Sequence, residues 1–325
     1  MNTKLKASYP EKKTLLILSI LTLVFGAITC VIGDIAMPIV IGILAAIYFF
    51  DRSEYKVFVI LASLLLVALN IFVVLTGVTV SLFGPSSIIL ALMLSFAFRR
   101  EENKADTAYV MTIICAAFSF ISCILLAMLA QGEFTIEAVK LFYADLIDSL
   151  RVGFVESFML IYEAAGVSSS EEIILAIFDT QLKLAISYFL IGGFITVGLG
   201  MKVFGFVISK LAEDKKEILE WRFSPNNFFA YFFVLLTFAS VFLTSAEGIL
   251  AISVLNLYNV FLVIFAYVGF NLATAIFMTK MRRGLSLLIL VFVLISFSSF
   301  AIQVLAMLGV MFTIQNNNRN RIQNS

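Results

Sequence analysis

Nine long apolar tracts dominate the chain and limit what it can fold into. They cover residues 14–33, 35–50, 57–76, 78–98, 109–130, 182–208, 228–246, 249–279 and 285–313. A bilayer core about 30 Å thick is crossed by roughly 20 helical residues. Because backbone groups in lipid must be hydrogen-bonded within the segment, tracts of this length are helices rather than strands. The sequence therefore predicts an all-α, polytopic transmembrane helical bundle of about nine spans.

Composition supports lipid as the surroundings of most of the chain. Hydrophobic residues make up 62% and charged residues 13%, whereas soluble domains carry about 25% charge. A net charge of +1 argues against a nucleic-acid partner. Histidine is absent, and Cys30, Cys115 and Cys123 lie in apolar tracts without the spacing of a metal site. We therefore expect no catalytic set, no metal and no cofactor, and an enzyme is disfavoured.

The tracts fall into four regions along the chain. Residues 1–130 hold five tracts, 131–181 form a long segment outside the membrane, 182–313 hold four tracts, and 314–325 are a polar tail. A charged elbow at 209–227 interrupts the second group and contains Trp221, the only tryptophan, and Pro225. Trp221 and Pro225 are the predicted docking surface for a partner, and a simple solvated turn is equally compatible.

Basic residues predict the orientation, because cytoplasmic loops are enriched in Lys and Arg. With a cytoplasmic N-terminus, 16 of the 22 basic residues lie on one side. This predicts a multi-pass protein of the cell (plasma) membrane. Nine crossings would place the tail outside, whereas a fold-back near Ser298 would return it inside.

The outer segment is acidic and patterned as helix. It contains nine acidic and two basic residues, and an apolar residue recurs at Val139, Phe142, Leu146, Leu150, Phe154 and Phe158. This spacing predicts an amphipathic helix whose opposite side carries Glu137, Lys140, Asp148 and Arg151. Ser169 and Glu172 form a capping box before a second helix at 173–178. The segment is then either an interfacial helix on the outer membrane surface or a lid over a substrate cavity.

Amide side chains at membrane depth are the candidate binding residues, since polar groups there are costly and often functional. They are Asn70, Asn256, Asn259 and Asn271. Each could bind a small polar solute or hydrogen-bond a neighbouring helix. The tract 249–279 would be about 46 Å long as one helix, so it must tilt, protrude or break. A break near Asn256 and Asn259 would place both in an outward-opening cavity.

Small residues recur every four positions in the tract 182–208. Gly192, Thr196 and Gly200 share one helix face, and such a face lets another helix approach closely. We interpret these three residues as a helix-packing face, which would also permit sliding.

The order of several motifs resembles the YybS-like family of uncharacterised bacterial membrane proteins. The motifs are Pro38 in the second tract, DRSEYK at 51–56, RREENK at 99–104, Trp221 with Pro225, Asn271 before Gly284-Leu285-Ser286, and Leu308-Gly309. The resemblance spans nearly the whole chain and implies a core similar to the substrate-capturing S subunits of energy-coupling-factor transporters. The tail TIQNNNRNRIQNS departs from the acidic ending expected of that family.

Two functions fit these features better than the others. Small-solute binding or transport is favoured by many spans, intramembrane amides and glycine-rich helices. The alternative is a non-transporting membrane scaffold or regulatory protein. A membrane enzyme acting on lipid-linked substrates is a third interpretation. Since no phosphate-binding loop is present, ATP-driven transport would need separate energising or regulatory membrane subunits.

Overall fold

A computed structural model describes residues 12–32, 34–50, 56–76, 82–166, 170–211, 223–243, 248–280 and 298–323. In these ranges the regular secondary structure is entirely helical, with a single 3-10 turn at Asp34–Ala36. The helices are α1 Lys12–Ile32, α2 Met37–Phe49, α3 Lys56–Leu75, α4 Phe83–Arg99, α5 Lys104–Gln131, α6 Ile136–Ala164, α7 Glu171–Lys183, α8 Ala185–Leu211, α9 Asn227–Leu243, α10 Ile249–Lys280 and α11 Ser298–Gln323. The predicted all-α class is confirmed.

Five of these helices are long and apolar enough to cross a membrane. They contain the segments Lys12–Thr29, Lys104–Gln131, Ala185–Leu211, Ile249–Ile276 and Phe300–Asn318. Four further apolar helices, α2, the 60–75 part of α3, α4 and α9, are shorter. The chain is therefore an integral, multi-pass membrane protein, and the count of nine spans stays a prediction.

The chain divides into two compact units. The first unit comprises Met1–Phe96 and Met111–Asp214, and the second comprises Ala97–Val110 and Lys215–Ser325. Helix α8 follows the outer segment in the chain, yet it belongs to the first unit. The elbow thus marks the change from one unit to the other.

Close packing of α8 on α2 organises the first unit. Pro38 occupies the first turn of α2, where its fixed φ and missing N–H are tolerated. A Cβ on Gly42 of α2 would lie 2.6 Å from Cβ of Val203, and one on Gly200 of α8 would lie 3.2 Å from Ile41. Two glycines therefore let these backbones approach in the way small residues do between membrane helices.

Helices α9, α10 and α11 build the second unit around an aromatic and aliphatic cluster. Phe233 of α9 stacks on Phe265 of α10 with ring centroids 5.3 Å apart. The buried members of this cluster are Ala230, Phe233, Phe265, Ala306 and Val310. A Cβ on Gly269 would overlap the carbonyl of Leu305, and one on Gly309 would overlap the carbonyl of Phe265. The contact between α10 and α11 therefore requires glycine on both helices.

The outer segment forms two helices, α6 and α7, as predicted. Thr135 caps α6 by accepting a hydrogen bond from the Ala138 amide at 3.1 Å, which stabilises the helix start. The expectation that Arg151 faces away was wrong. Its guanidinium is half-buried and pairs with Asp179 of α7 at 3.0 Å, because the long side chain can turn back to join the two helices.

Two further predictions concern the last two helices. Helix α10 is continuous from Ile249 to Lys280, so the break proposed near Asn256 does not occur. Helix α11 continues to Gln323, and the polar tail is therefore largely an extension of this helix. The proposed fold-back near Ser298 adjoins residues 281–297, which lie outside the described residues.

Candidate functional site

Buried polar side chains on α2, α3 and α4 form what we call the polar seam of the first unit. Its members are Tyr48, Ser63, Asn70 and Ser87. The hydroxyls of Tyr48 and Ser63 are hydrogen-bonded at 2.7 Å. Ser63 and Asn70 are seven residues apart on α3, which places them on the same helix face. The seam therefore runs along one side of α3 inside the first unit.

Asn70 lies where Gly84 lets α4 approach α3 closely. Its side chain is almost fully buried, and a Cβ on Gly84 of α4 would lie 2.9 Å from Asn70 Cβ. The absence of a side chain at Gly84 thus provides the space for the amide. A buried amide has four hydrogen-bonding positions to satisfy, so its surroundings must be polar to hold it at membrane depth.

Ser87 lies one helical turn after Gly84 on the same face of α4. Its side chain has 0% exposure, and its Oγ makes no hydrogen bond to any residue that the structure describes. The neighbouring Ser86 differs, because its hydroxyl donates to the Phe83 carbonyl at 3.1 Å. The seam therefore combines a buried amide with a buried hydroxyl that can still accept or donate a hydrogen bond.

The amides predicted on α10 do not converge on one place. Asn256 is buried and its Nδ2 donates to the Ile252 carbonyl of the same helix at 2.8 Å. Asn259 is half-buried, and Asn271 is exposed. Asn271 is 15 residues beyond Asn256, about 22 Å along the helix axis. Asn256 and Asn259 share a face, but a common site with Asn271 is excluded by this distance.

A second set of polar groups, the amide cluster, joins the elbow to α11. Asn317 Nδ2 donates to the Pro225 carbonyl and to Asn227 Oδ1, both at 2.9 Å. Asn227 Nδ2 in turn donates to Asn318 Oδ1 at 3.3 Å. Ser224 Oγ completes the cluster by donating to Asn317 Oδ1 at 3.5 Å. These side chains satisfy one another and fasten the end of α11 to the start of α9.

Aromatic contacts hold the elbow residue Phe223 beside this cluster. Its ring packs edge-on against Tyr109 at 6.2 Å and against Tyr267 at 5.6 Å between centroids. Pro225 is the elbow residue predicted for docking, and its carbonyl is occupied by Asn317. Trp221, the other predicted docking residue, lies outside the described residues.

Only part of the glycine face predicted on α8 packs against another helix. Gly200 contacts α2, Thr196 is half-buried, and Gly192 is exposed with open space beside it. The close contact falls instead on Gly193, where a Cβ would lie 2.9 Å from the Thr112 carbonyl of α5. The four-residue spacing predicted a packing face, but the partner helices could not be read from it.

Sequence reasoning missed Ser87, Asn227 and Asn317. Serine is common in membrane helices and usually bonds a carbonyl of its own helix, so nothing in the sequence distinguishes Ser87 from Ser86. The run Asn316-Asn317-Asn318 was visible but appeared to be a polar tail. Within the described ranges, no three Cys, Asp or Glu side chains gather as ligands of a metal ion would.

Comparison of the chain with protein-family models, with curated proteins and with solved structures finds no match.

Proposed function

We propose that this membrane protein binds a small polar solute within the polar seam of the first unit and moves it across the bilayer. The observation that carries the proposal is the fully buried Ser87 hydroxyl, which has no hydrogen-bond partner among the described residues. It lies one turn from the place where Asn70 packs on Gly84. A solute with hydroxyl, carbonyl or amine groups would give the Ser87 hydroxyl a partner beside the Asn70 amide.

Energetics favour an occupant of this site. A buried polar group left without a partner costs about 1–3 kcal/mol, and no bulk water compensates at membrane depth. Polar residues inside membrane bundles commonly mark the path of a substrate or ion for this reason. The seam is uncharged, since its members are hydroxyls and an amide, so the favoured solute is polar and neutral or carries its charge away from the seam.

The position of the seam suits capture from outside the cell. With the cytoplasmic N-terminus that we propose, Asn70 lies 14 residues, or about 21 Å, from the inner start of α3. Ser87 lies near the start of α4, at the same outer end. This placement supports the resemblance to substrate-capturing S subunits, and we propose that separate energising membrane subunits drive release, with the elbow as their docking surface.

A second candidate function is a non-transporting scaffold or regulator. The amide cluster favours it, because Asn317 donates to both the Pro225 carbonyl and Asn227 Oδ1. Such self-satisfied contacts fix a shape without needing a ligand. This function predicts that nothing small binds the first unit, and that the solute site is absent.

Native mass spectrometry of the protein in mild detergent tests the proposal. We expect a bound small molecule that survives purification of the unaltered protein. Asn70→Leu should lower its occupancy tenfold or more, since one lost hydrogen bond in a desolvated site is worth about 1–3 kcal/mol. Asn259→Leu serves as the matched comparison on α10.

The outcomes separate the alternatives. Loss of the bound small molecule in Asn70→Leu alone supports a binding site in the polar seam. Its loss in Asn259→Leu alone places the site on α10, as the sequence predicted. If the unaltered protein carries no small molecule in detergent or in lipid nanodiscs, solute binding fails and the scaffold function is favoured. Folding of each variant is checked by its thermal unfolding midpoint.

A further inference from the structure

An apolar stripe runs along α6 next to the residues of this helix that contact α7. Its residues are Val139, Leu146, Leu150 and Ile161, which lie within a narrow arc at 100° per residue. Leu150 is 54% exposed and Ile161 is 60% exposed. An exposed stripe of this length on a helix outside the spanning segments needs a covering surface.

Acidic residues lie on another arc of α6, about 120° around the helix from the stripe, together with the exposed Val152. Asp145, Glu156 and Glu163 lie on it, and all three are exposed. This separation of an apolar stripe from a charged arc is the pattern of a helix that lies in a membrane interface. The acidity also limits the partner, because anionic headgroups would repel it.

The contact between Tyr143 and Cys123 relates the first part of α6 to a level along α5. Burial raises the pKa of Tyr143 to about 12, together with its electrostatic interaction and hydrogen bond with the adjacent Cys123. Cys123 lies eight residues before the end of α5 at Gln131. Tyr143, in the first part of α6, therefore lies beside α5 about two turns before α5 ends.

The length of α5 shows where this contact falls. Its 28 residues span about 42 Å, which exceeds a bilayer core of about 30 Å by roughly 12 Å. Eight residues correspond to about 12 Å. If the charged start at Lys104 lies at the inner boundary, Cys123 and Tyr143 lie at the outer boundary of the hydrocarbon core.

An ion pair and an aromatic contact join α6 and α7 as a hairpin. Arg151 pairs with Asp179 of α7 at 3.0 Å, and its guanidinium lies over the Phe178 ring at 5.7 Å from the centroid. Phe178 also packs on Phe154 of α6 at 5.3 Å between centroids. The charge pair is partly exposed and contributes only modestly to stability. The aromatic contact beside it buries additional apolar area.

We propose that the hairpin of α6 and α7 lies in the outer membrane interface, with the stripe Val139, Leu146, Leu150 and Ile161 inserted at the boundary between headgroups and acyl chains of uncharged phospholipid. The surface that covers the stripe is continuous with the lipid around α5 and α8, because only four residues separate α6 from α5 and one separates α7 from α8. The hairpin is thus a lipid-binding surface rather than a free lid.

Spin labels at single cysteines test this inference in phosphatidylcholine vesicles. The full chain is reconstituted with its native cysteines replaced, Cys123 by Ser to keep the contact with Tyr143. A label is then placed at Leu150→Cys or, as the matched control five residues earlier on the acidic arc, at Asp145→Cys. Collision rates are measured with oxygen, which concentrates in lipid, and with a nickel chelate, which stays in water.

The inserted hairpin predicts a ratio of oxygen to nickel collisions several-fold higher at residue 150 than at residue 145. Equal, nickel-dominated rates at both positions would show a hairpin in water and overturn the inference. Low rates of both reagents at residue 150 would show a protein contact and would overturn it too. Neither result bears on solute binding at Asn70 and Ser87, so the proposed function is judged separately.

Discussion

Two polar groupings differ in how completely their own side chains satisfy one another. In the amide cluster of the second unit, both hydrogens of Asn317 Nδ2 have acceptors at 2.9 Å, the Pro225 carbonyl and Asn227 Oδ1. In the polar seam of the first unit, the Ser87 hydroxyl is enclosed and meets no acceptor or donor from the described chain. The first arrangement is complete without a ligand, and the second is not.

This difference distinguishes structural polar groups from candidate binding groups. A closed hydrogen-bond network at membrane depth strengthens helix association by about 0.6–2 kcal/mol per bond. An enclosed group with unused hydrogen-bonding capacity instead gains from a water or a solute. Substitutions that lower stability should therefore lie in the second unit, and substitutions that lower binding should lie in the polar seam.

The largest loss of stability is expected at the glycine contact between α10 and α11. Gly309→Ala would place a methyl group against the Phe265 carbonyl, and two backbones must separate to accept it. Overpacking of this kind costs about 1–3 kcal/mol and sometimes more, so the midpoint of thermal unfolding in detergent should fall sharply.

The control for this substitution is Gly205→Ala on α8. A Cβ at Gly205 would meet no atom of the described chain within 4 Å, and Ala stabilises a helix interior by about 0.5–1 kcal/mol over Gly. Its unfolding midpoint should be unchanged or higher. Equal effects of the two substitutions would mean that α10 and α11 do not pack closely through Gly269 and Gly309.

An intermediate loss of stability is expected within the amide cluster. Asn317→Ala leaves the Pro225 carbonyl and Asn227 Oδ1 without this donor, which costs about 1–3 kcal/mol if water cannot replace it. Gln315→Ala, on an exposed position of the same helix, is the control and should change little. Any bound small molecule should remain in both variants. Its loss with Asn317→Ala would contradict the assignment of structure to the amide cluster and of binding to the polar seam.

The sequence predicted the helical class because length and hydropathy alone determine it in lipid. It also predicted the two outer helices, since Val139, Leu146 and Leu150 recur at helical spacing. It failed for Arg151, because a charged residue on a helix face usually points to solvent, and its pairing with Asp179 depends on how α7 folds back. Periodicity cannot provide that information.

Candidate site residues were only partly predictable for a related reason. Asn70 was visible as a polar residue inside an apolar tract, and its burial fits that prediction. Ser87 became distinct only when its neighbours were known, since its environment depends on the approach of α3 to α4 at Gly84. Likewise, Asn317 acquires its role from Pro225, which lies 92 residues earlier in the chain.

Ser87→Ala is expected to have the smallest effect on stability. It also tests the central claim most directly. Removing a buried hydroxyl that has no partner among the described residues should leave the unfolding midpoint of the solute-free protein unchanged or slightly higher. Native mass spectrometry of the same variant should show about tenfold lower occupancy by the co-purifying small molecule, equivalent to roughly 1.4 kcal/mol. Unchanged occupancy with Ser87→Ala, or a marked loss of stability in the solute-free protein, would contradict a solute site in the polar seam.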